Sequence, residues 1–198
     1  MSTSPTPALL REVPETFLTP RLQLRPHRPE DAPALQEALA ESSAHLRQFL
    51  WGLPWVAAEP TRETALARCR RSAAQFLLRE DLAWLAFERE GGRLVGSVGL
   101  HRSDWSLPRT EVGYWMRPSV AGRGLAVEAV DAVVGWALDG LGALRVDLVA
   151  DAANTASRRV AERCGFTLEG IQRQVARAPD GSLRDHCLYA RLGRPAPG

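Results

Sequence analysis

The chain has 198 residues and a mass of 21.7 kDa, enough for one domain with a substantial core. Apolar residues make up 45% and charged residues 24%, which excludes wholesale disorder, and a net charge of +2 is too mild for a nucleic-acid binder. No apolar run reaches the ~18 residues of a membrane span, and Cys69, Cys164 and Cys187 lack the spacing of a disulfide framework or a zinc site.

All 25 basic residues are Arg, a bias of composition rather than of function. The first residues lack the basic and apolar regions of a signal peptide, so the expectation is a cytoplasmic protein with no metal, nucleic-acid or membrane partner. Residues 1–15, rich in Pro, Ser and Thr, read as a flexible tail, 16–193 as one domain and 194–198 as a C-terminal fray.

Leu22 and Leu24 alternate with Gln23 and Arg25, the pattern of a short strand. Pro29-Glu30-Asp31 opens a helix whose apolar stripe is Leu35, Leu39 and Leu46. After a break at Trp51-Gly-Leu-Pro-Trp55, Thr61 and Thr64 open a second helix to about Arg79. Strands follow over 83–88 and 93–101, joined by Glu90-Gly-Gly92, and a third over 111–116. Gly122-Arg-Gly124 leads into a helix over 125–141, then come a strand over 145–150 and a helix over 154–163 that stops at Gly165. Strands over 166–174 and 184–191, joined by a turn at Pro179-Asp-Gly181, complete a mixed α/β sheet in one domain.

Two segments carry chemistry. Met116 to Ala126 is a strand, a glycine turn and a helix start. Glycines there admit close approach of a ligand, unpaired N–H groups suit a pyrophosphate, and Arg117 and Arg123 add positive charge. The loop is neither a Walker A loop nor a Rossmann fingerprint. In the second segment Asn154 reads as an N-cap with Ser157 on the same side one turn later, so an amide and a hydroxyl face one extended ligand.

With these segments the sequence resembles the GNAT acyl-CoA-dependent N-acetyltransferases, in particular the RimJ/RimL-type branch. The resemblance runs from about Leu18 to Leu192 and rests on motifs in order: Thr19-Pro-Arg-Leu-Gln-Leu-Arg25, Leu50-Trp-Gly-Leu-Pro-Trp55, Gly113-Tyr-Trp-Met116, Gly122-Arg-Gly-Leu-Ala-Val-Glu-Ala129, Asn154-Thr-Ala-Ser157, Phe166-Thr-Leu-Glu-Gly170 and Asp185-His-Cys-Leu-Tyr189. It implies a GNAT-like fold: a mixed central β-sheet flanked by helices, with acyl-CoA bound at the splay between central strands. By that likeness the cofactor-binding residues are Met116, Arg117, Ala121, Gly122, Arg123, Gly124, Leu125, Ala126, Asn154 and Ser157. Ala121 departs from the usual Gln or Arg. The co-substrate is acetyl-CoA, with no metal.

The resemblance also implies direct transfer to an amine. The branch's usual base position is Val175 here; Glu111 is the candidate base because it resembles the Glu that histone acetyltransferases carry on the strand before the glycine loop, and its structural alternative is a solvent-facing or edge-strand carboxylate. Ser157 is the candidate proton donor, because the family's helical Tyr position is Ala161. A backbone N–H near Trp115 to Arg117 would face the oxyanion. Trp51, Trp55 and His101 are candidate acceptor contacts, and His101 and Asp104, at the loop between strands, are further candidates for a proton relay or a substrate contact. Asp185 is expected to make a structural hydrogen bond, Arg68, Arg70 and Arg71 to form a solvated face, and the cysteines to be buried thiols. The expected acceptor is a protein N-terminal α-amine of ribosomal-protein type. The alternatives are a small amine (polyamine, amino acid or antibiotic) or a non-catalytic acyl-CoA-binding module. A homodimer is expected by analogy.

Overall fold

The computed structural model describes residues 8–193. In chain order it contains β1 (Phe17–Leu18), β2 (Leu22–Pro26), α1 (Ala32–Phe49), α2 (Pro54–Ala57), α3 (Arg62–Leu78), β3 (Leu82–Glu88) and β4 (Leu94–Asp104). There follow β5 (Arg109–Met116), α4 (Leu125–Asp139), β6 (Arg145–Asp151), α5 (Thr155–Arg163), β7 (Thr167–Arg177) and β8 (Leu183–Leu192). The strands form one mixed sheet of eight in the order β1-β2-β3-β4-β5-β6-β8-β7. This is the single α/β fold expected from the motifs.

Local chemistry explains the helix ends. The Thr61 hydroxyl accepts from the Thr64 N–H at 3.2 Å, and the Thr64 hydroxyl accepts from the Thr61 N–H at 2.9 Å. This reciprocal cap starts α3 by satisfying two orphan donors. The Asn154 side chain accepts from the Ser157 N–H at 3.0 Å and starts α5. A 3₁₀ turn at Pro29–Asp31 precedes α1, and the Asp31 carboxylate holds the Arg28 N–H and the Arg25 guanidinium there.

Two cores sandwich the sheet. Val130, Val133, Val134 and Ala137 of α4 pack on Leu82, Trp84, Val98, Val112 and Leu148. The stripe Leu35, Leu39 and Leu46 of α1 packs with α3 on Leu85, Phe87, Leu94 and Trp115. Trp84 is fully buried and meets Phe17, Phe76 and Trp136 edge-on, while its indole N–H donates to the Pro14 carbonyl at 3.1 Å. That bond, and one from Arg79 to the Arg11 carbonyl, fasten residues 11–14 to the domain. Residues 1–7 of the expected tail and the expected fray at 194–198 lie outside the described residues.

Two elements depart from the sequence reading. β1 is too short for alternation to reveal it. The Trp51–Trp55 break contains the short helix α2, started by Pro54.

Candidate active site

Neighbouring strands are antiparallel except β5 and β6, whose parallel pairing covers Arg109–Arg145, Thr110–Val146 and Glu111–Asp147 and then ends. From Val112 to Met116, β5 keeps β4 on one side and has no strand on the other. The sheet therefore opens beside Gly113–Met116, where the splay was expected. An extended ligand can reach the unpaired backbone groups of this edge.

The glycine loop lies just beyond that edge. Gly122 and Gly124 have φ of 77° and 78°, a region that favours glycine. Among the described residues, the N–H groups of Gly122, Gly124, Leu125 and Ala126 have no protein partner. They open α4, whose N-terminus carries partial positive charge suited to a pyrophosphate. The loop is held from behind. Arg21 donates to the Arg123 carbonyl at 2.7 Å and pairs with Glu128 of α4 at 2.6 Å.

The two loop arginines differ from expectation. The Arg123 guanidinium pairs with Glu88 at 2.7 Å. Arg117 is buried and bound by Glu37 and Glu41 of α1, whose carboxylates raise its pKa against the effect of desolvation. Both side chains are thus committed to carboxylates, and the positive character of the loop comes from its backbone. Ala121 is exposed and adds no polar side chain.

Alternation along β5 puts Glu111, Gly113 and Trp115 on the face of α1 and α3, and Val112, Tyr114 and Met116 on the face of α4 and α5. On the first face, Arg102 binds both oxygens of Glu111, with Nε at 3.0 Å from Oε2. A proton taken up by Glu111 would have to displace that guanidinium. His101, expected where the strand gives way to a loop, stands directly across from Glu111 within β4. The strand continues through a bulge to Asp104, with Arg102 at φ 51°. Asp104 turns away and accepts from the Ser106 backbone and hydroxyl. The His101 ring lies on the seam between Gly99 and Gly113, where a Cβ on either glycine would meet it at 2.9 Å. Its Nδ1 is 2.6 Å from Asp81 Oδ1.

On the second face, the Tyr114 hydroxyl is 2.9 Å from the Ser157 hydroxyl, one turn into α5. Burial pushes the Tyr114 pKa up to about 12, so the phenol stays protonated. The pair can pass a proton but cannot carry a charge cheaply. Asn154 commits its side-chain oxygen to the helix cap, which leaves its amide N–H₂ group to face a ligand.

The Trp-rich segment divides. Trp55 packs beside Trp115, with ring centroids 6.3 Å apart, under the Arg68 guanidinium 3.7 Å from its ring. Arg68 therefore turns inward, contrary to the expected solvated face, while Arg70 and Arg71 are exposed. Trp51 borders an open cleft of about 750 Å³ with Phe49, Arg47, Ala153, Pro179 and Arg184. Arg184 stands over the Trp51 ring and is held by Asp151 at 2.9 Å. Val175 is exposed on β7, beyond a bulge at Gln174 whose N–H donates to Asp185 at 2.8 Å, which is the structural bond expected of Asp185. All three cysteines are buried and free. Burial raises the Cys69 and Cys164 thiols to about 11.

Residues 21–167 match the acetyltransferase (GNAT) domain family. The chain belongs to the GNAT acetyltransferases. The putative ribosomal N-acetyltransferase YdaF of Bacillus subtilis (strain 168) is 31% identical over 167 residues, 84% of this chain and 88% of that one. Two solved structures share the fold. A RimL ribosomal L7/L12 alpha-N-protein acetyltransferase in complex with coenzyme A has a TM-score of 0.82 at 23% identity, over 90% of this chain and 98% of that one. The microcin C7 self-immunity acetyltransferase MccE in complex with acetyl-CoA and AMP has a TM-score of 0.80 at 18% identity, over 91% and 97%. The protein is thus a GNAT N-acetyltransferase, and acetyl-CoA binding is typical of its family. No described helix is long and apolar enough to cross a membrane.

Three residues that contact the candidate groups were missed by sequence reasoning: Tyr114, Arg102 and Asp81. Alternation alone put Tyr114 opposite Trp115, but its meeting with Ser157 depends on how α5 seats against β5. Arg102 and Asp81 reach Glu111 and His101 through a bulge and a loop, which no period reveals.

Proposed function

We propose that this acetyltransferase moves an acetyl group from acetyl-CoA directly to a protein N-terminal α-amine of ribosomal-protein type. The observation that carries the reading is the open edge of β5 beyond Glu111, continued by a glycine loop with unpartnered N–H groups. In this reading Gly122 to Ala126 hold the pyrophosphate through their backbone. The β5 edge from Gly113 to Met116 and the Asn154 amide line the pantetheine arm. A backbone N–H near Trp115 to Arg117 faces the oxyanion. Ser157, hydrogen-bonded to Tyr114, protonates the leaving thiolate. The acceptor enters beside Trp51 and Trp55. The likeness to YdaF supports a ribosomal-protein acceptor.

The amine must be neutral to attack. At pH 7 this costs about 1 kcal/mol for an α-amine and about 4.6 kcal/mol for a Lys amine. An α-amine therefore asks less of the enzyme. A small amine is the second reading, favoured by the size and openness of the cleft beside Trp51.

The test is release of CoA thiol from acetyl-CoA with a panel of ribosomal N-terminal peptides, polyamines, amino acids and aminoglycosides. Turnover confined to peptides is expected. Turnover confined to one small-amine class would replace the acceptor. Tight acetyl-CoA binding with no turnover would make the protein a non-catalytic acyl-CoA-binding module.

A further inference from the structure

Two acid–base groups lie on the α1/α3 face beside the open edge, and their surroundings separate them. Glu111 has both oxygens on Arg102. His101 has one ring nitrogen bound and the other free. The Asp81 carboxylate is an acceptor, so Nδ1 carries a proton, and the form of the ring with one proton presents a bare Nε2. No protein atom partners Nε2 among the described residues, although the His101 side chain is 34% exposed.

The seat of the ring is specific. Nε2 is the atom that stands over both glycines, 3.0 Å from where a Cβ would be at Gly99 and at Gly113. Any larger residue at either site would lift the imidazole off the seam. Gly113 belongs to the stretch of β5 that has lost its β6 partner, so Nε2 lies at the rim of the opening.

We propose that His101, oriented by Asp81, accepts the proton of the attacking amine. The assignment rests on the amine-acetylation reading above and names the base within it. The ammonium N–H bond breaks and its proton goes to Nε2, forming an imidazolium stabilised by Asp81. The neutral amine nitrogen then bonds to the acetyl carbon, and the C–S bond breaks. The second proton of the nitrogen passes to the thiolate sulfur by way of the Ser157 hydroxyl. The imidazolium returns its proton to water through the exposed rim, so one proton is released per turnover. His101 is the catalytic residue in this step and Asp81 a positioning residue.

The charged groups around the pair are few. Glu111 and Arg102 lie on the adjoining strand positions and compensate each other. Arg68 of α3 and His27 are close enough to feel the Asp81 charge. Burial lowers the His27 pKa to about 3, so that ring stays neutral and does not compete for the carboxylate.

The test measures kcat against pH for an N-terminal peptide with a free α-amine, with acetyl-CoA binding measured in the same preparations. For His101→Gln, kcat should fall about 100-fold or more and the acidic limb of the profile should vanish. Acetyl-CoA affinity should stay within about threefold, which also reports an intact fold. Asp81→Asn should move the limb to lower pH, because the imidazolium loses its carboxylate. A packing role alone would lower kcat without moving the limb. Wild-type kcat and an unchanged limb in His101→Gln would overturn the proposal, as would an unmoved limb in Asp81→Asn. Acetyl-CoA binding by the wild type with no amine acetylated would overturn the acetylation reading itself, and the base with it.

Discussion

On one face of β5, Glu111 and Gly113 meet Arg102 and His101, with Asp81 behind; on the other, Tyr114 meets Ser157. The first face holds its charged groups, the Glu111–Arg102 pair and the Asp81 carboxylate, at a partly exposed rim. The second keeps neutral hydroxyls against a core of α4 and α5. Strand alternation makes this division, since neighbours in sequence point to opposite sides. A proton can therefore be taken on one side and delivered on the other without the two groups meeting.

Blocking the first face should have the largest effect. In Gly113→Ala the new methyl would stand 2.9 Å from the His101 ring. Turnover should fall on the order of 100-fold, well beyond any loss of acetyl-CoA affinity along the β5 edge, and steady-state kinetics beside calorimetry would read both. Wild-type turnover in this variant would break the division of labour between the faces.

The second effect is on stability. His27 is a buried neutral imidazole near the charged face, its pKa lowered to about 3 by burial and then by Arg68. The unfolded chain binds that proton near pH 6.5, so between there and about 3 the unfolded state holds more protons. Stability should fall as pH drops through this window, by about 1.4 kcal/mol per pH unit. Urea unfolding of wild type and His27→Leu at pH 7 and pH 5 should show a shallower acid loss in the variant.

Removing hydroxyls from the second face should matter less. A thiol is already a good leaving group, so Ser157→Ala should lower kcat by about tenfold and Tyr114→Phe by less. A loss confined to acetyl-CoA affinity would reduce Ser157 to a cofactor contact. Smallest of all, replacing Cys69, Cys164 and Cys187 by Ala should leave kcat within about twofold, because none is placed to form an acyl-enzyme. Loss of turnover in a folded triple variant would overturn direct transfer.

Periodicity made much of this protein legible. Leu35, Leu39 and Leu46 are buried, the glycine turn opens α4, and Asn154 caps α5. These are local features, fixed within a turn or two of helix. What stayed hidden depends on register between distant segments. His101 and Asp104 read as the edge of a loop because the strand passes through a bulge between them. Arg68 reads as one of an exposed cluster, yet a rotation of about 200° over two residues of helix separates Arg68 facing Trp55 from Arg70 facing water. Arg117 and Arg123 read as ligand charges because their carboxylate partners, Glu37, Glu41 and Glu88, are far away in sequence.

The short pairing of β5 with β6 also has a mechanical meaning. It makes the sheet two leaves, β1 to β5 and β6 to β8, hydrogen-bonded to each other over three residue pairs. Such a seam is sparsely hydrogen-bonded, and a ligand laid along it would act as a splint across the leaves. Amide exchange from Val112 to Met116 should accordingly slow when acetyl-CoA binds. At a hundred times its Kd the ligand would add about 2.7 kcal/mol to the stability of the whole domain. Supply of acetyl donor would then govern how firmly the two leaves are held as well as how fast the enzyme turns over.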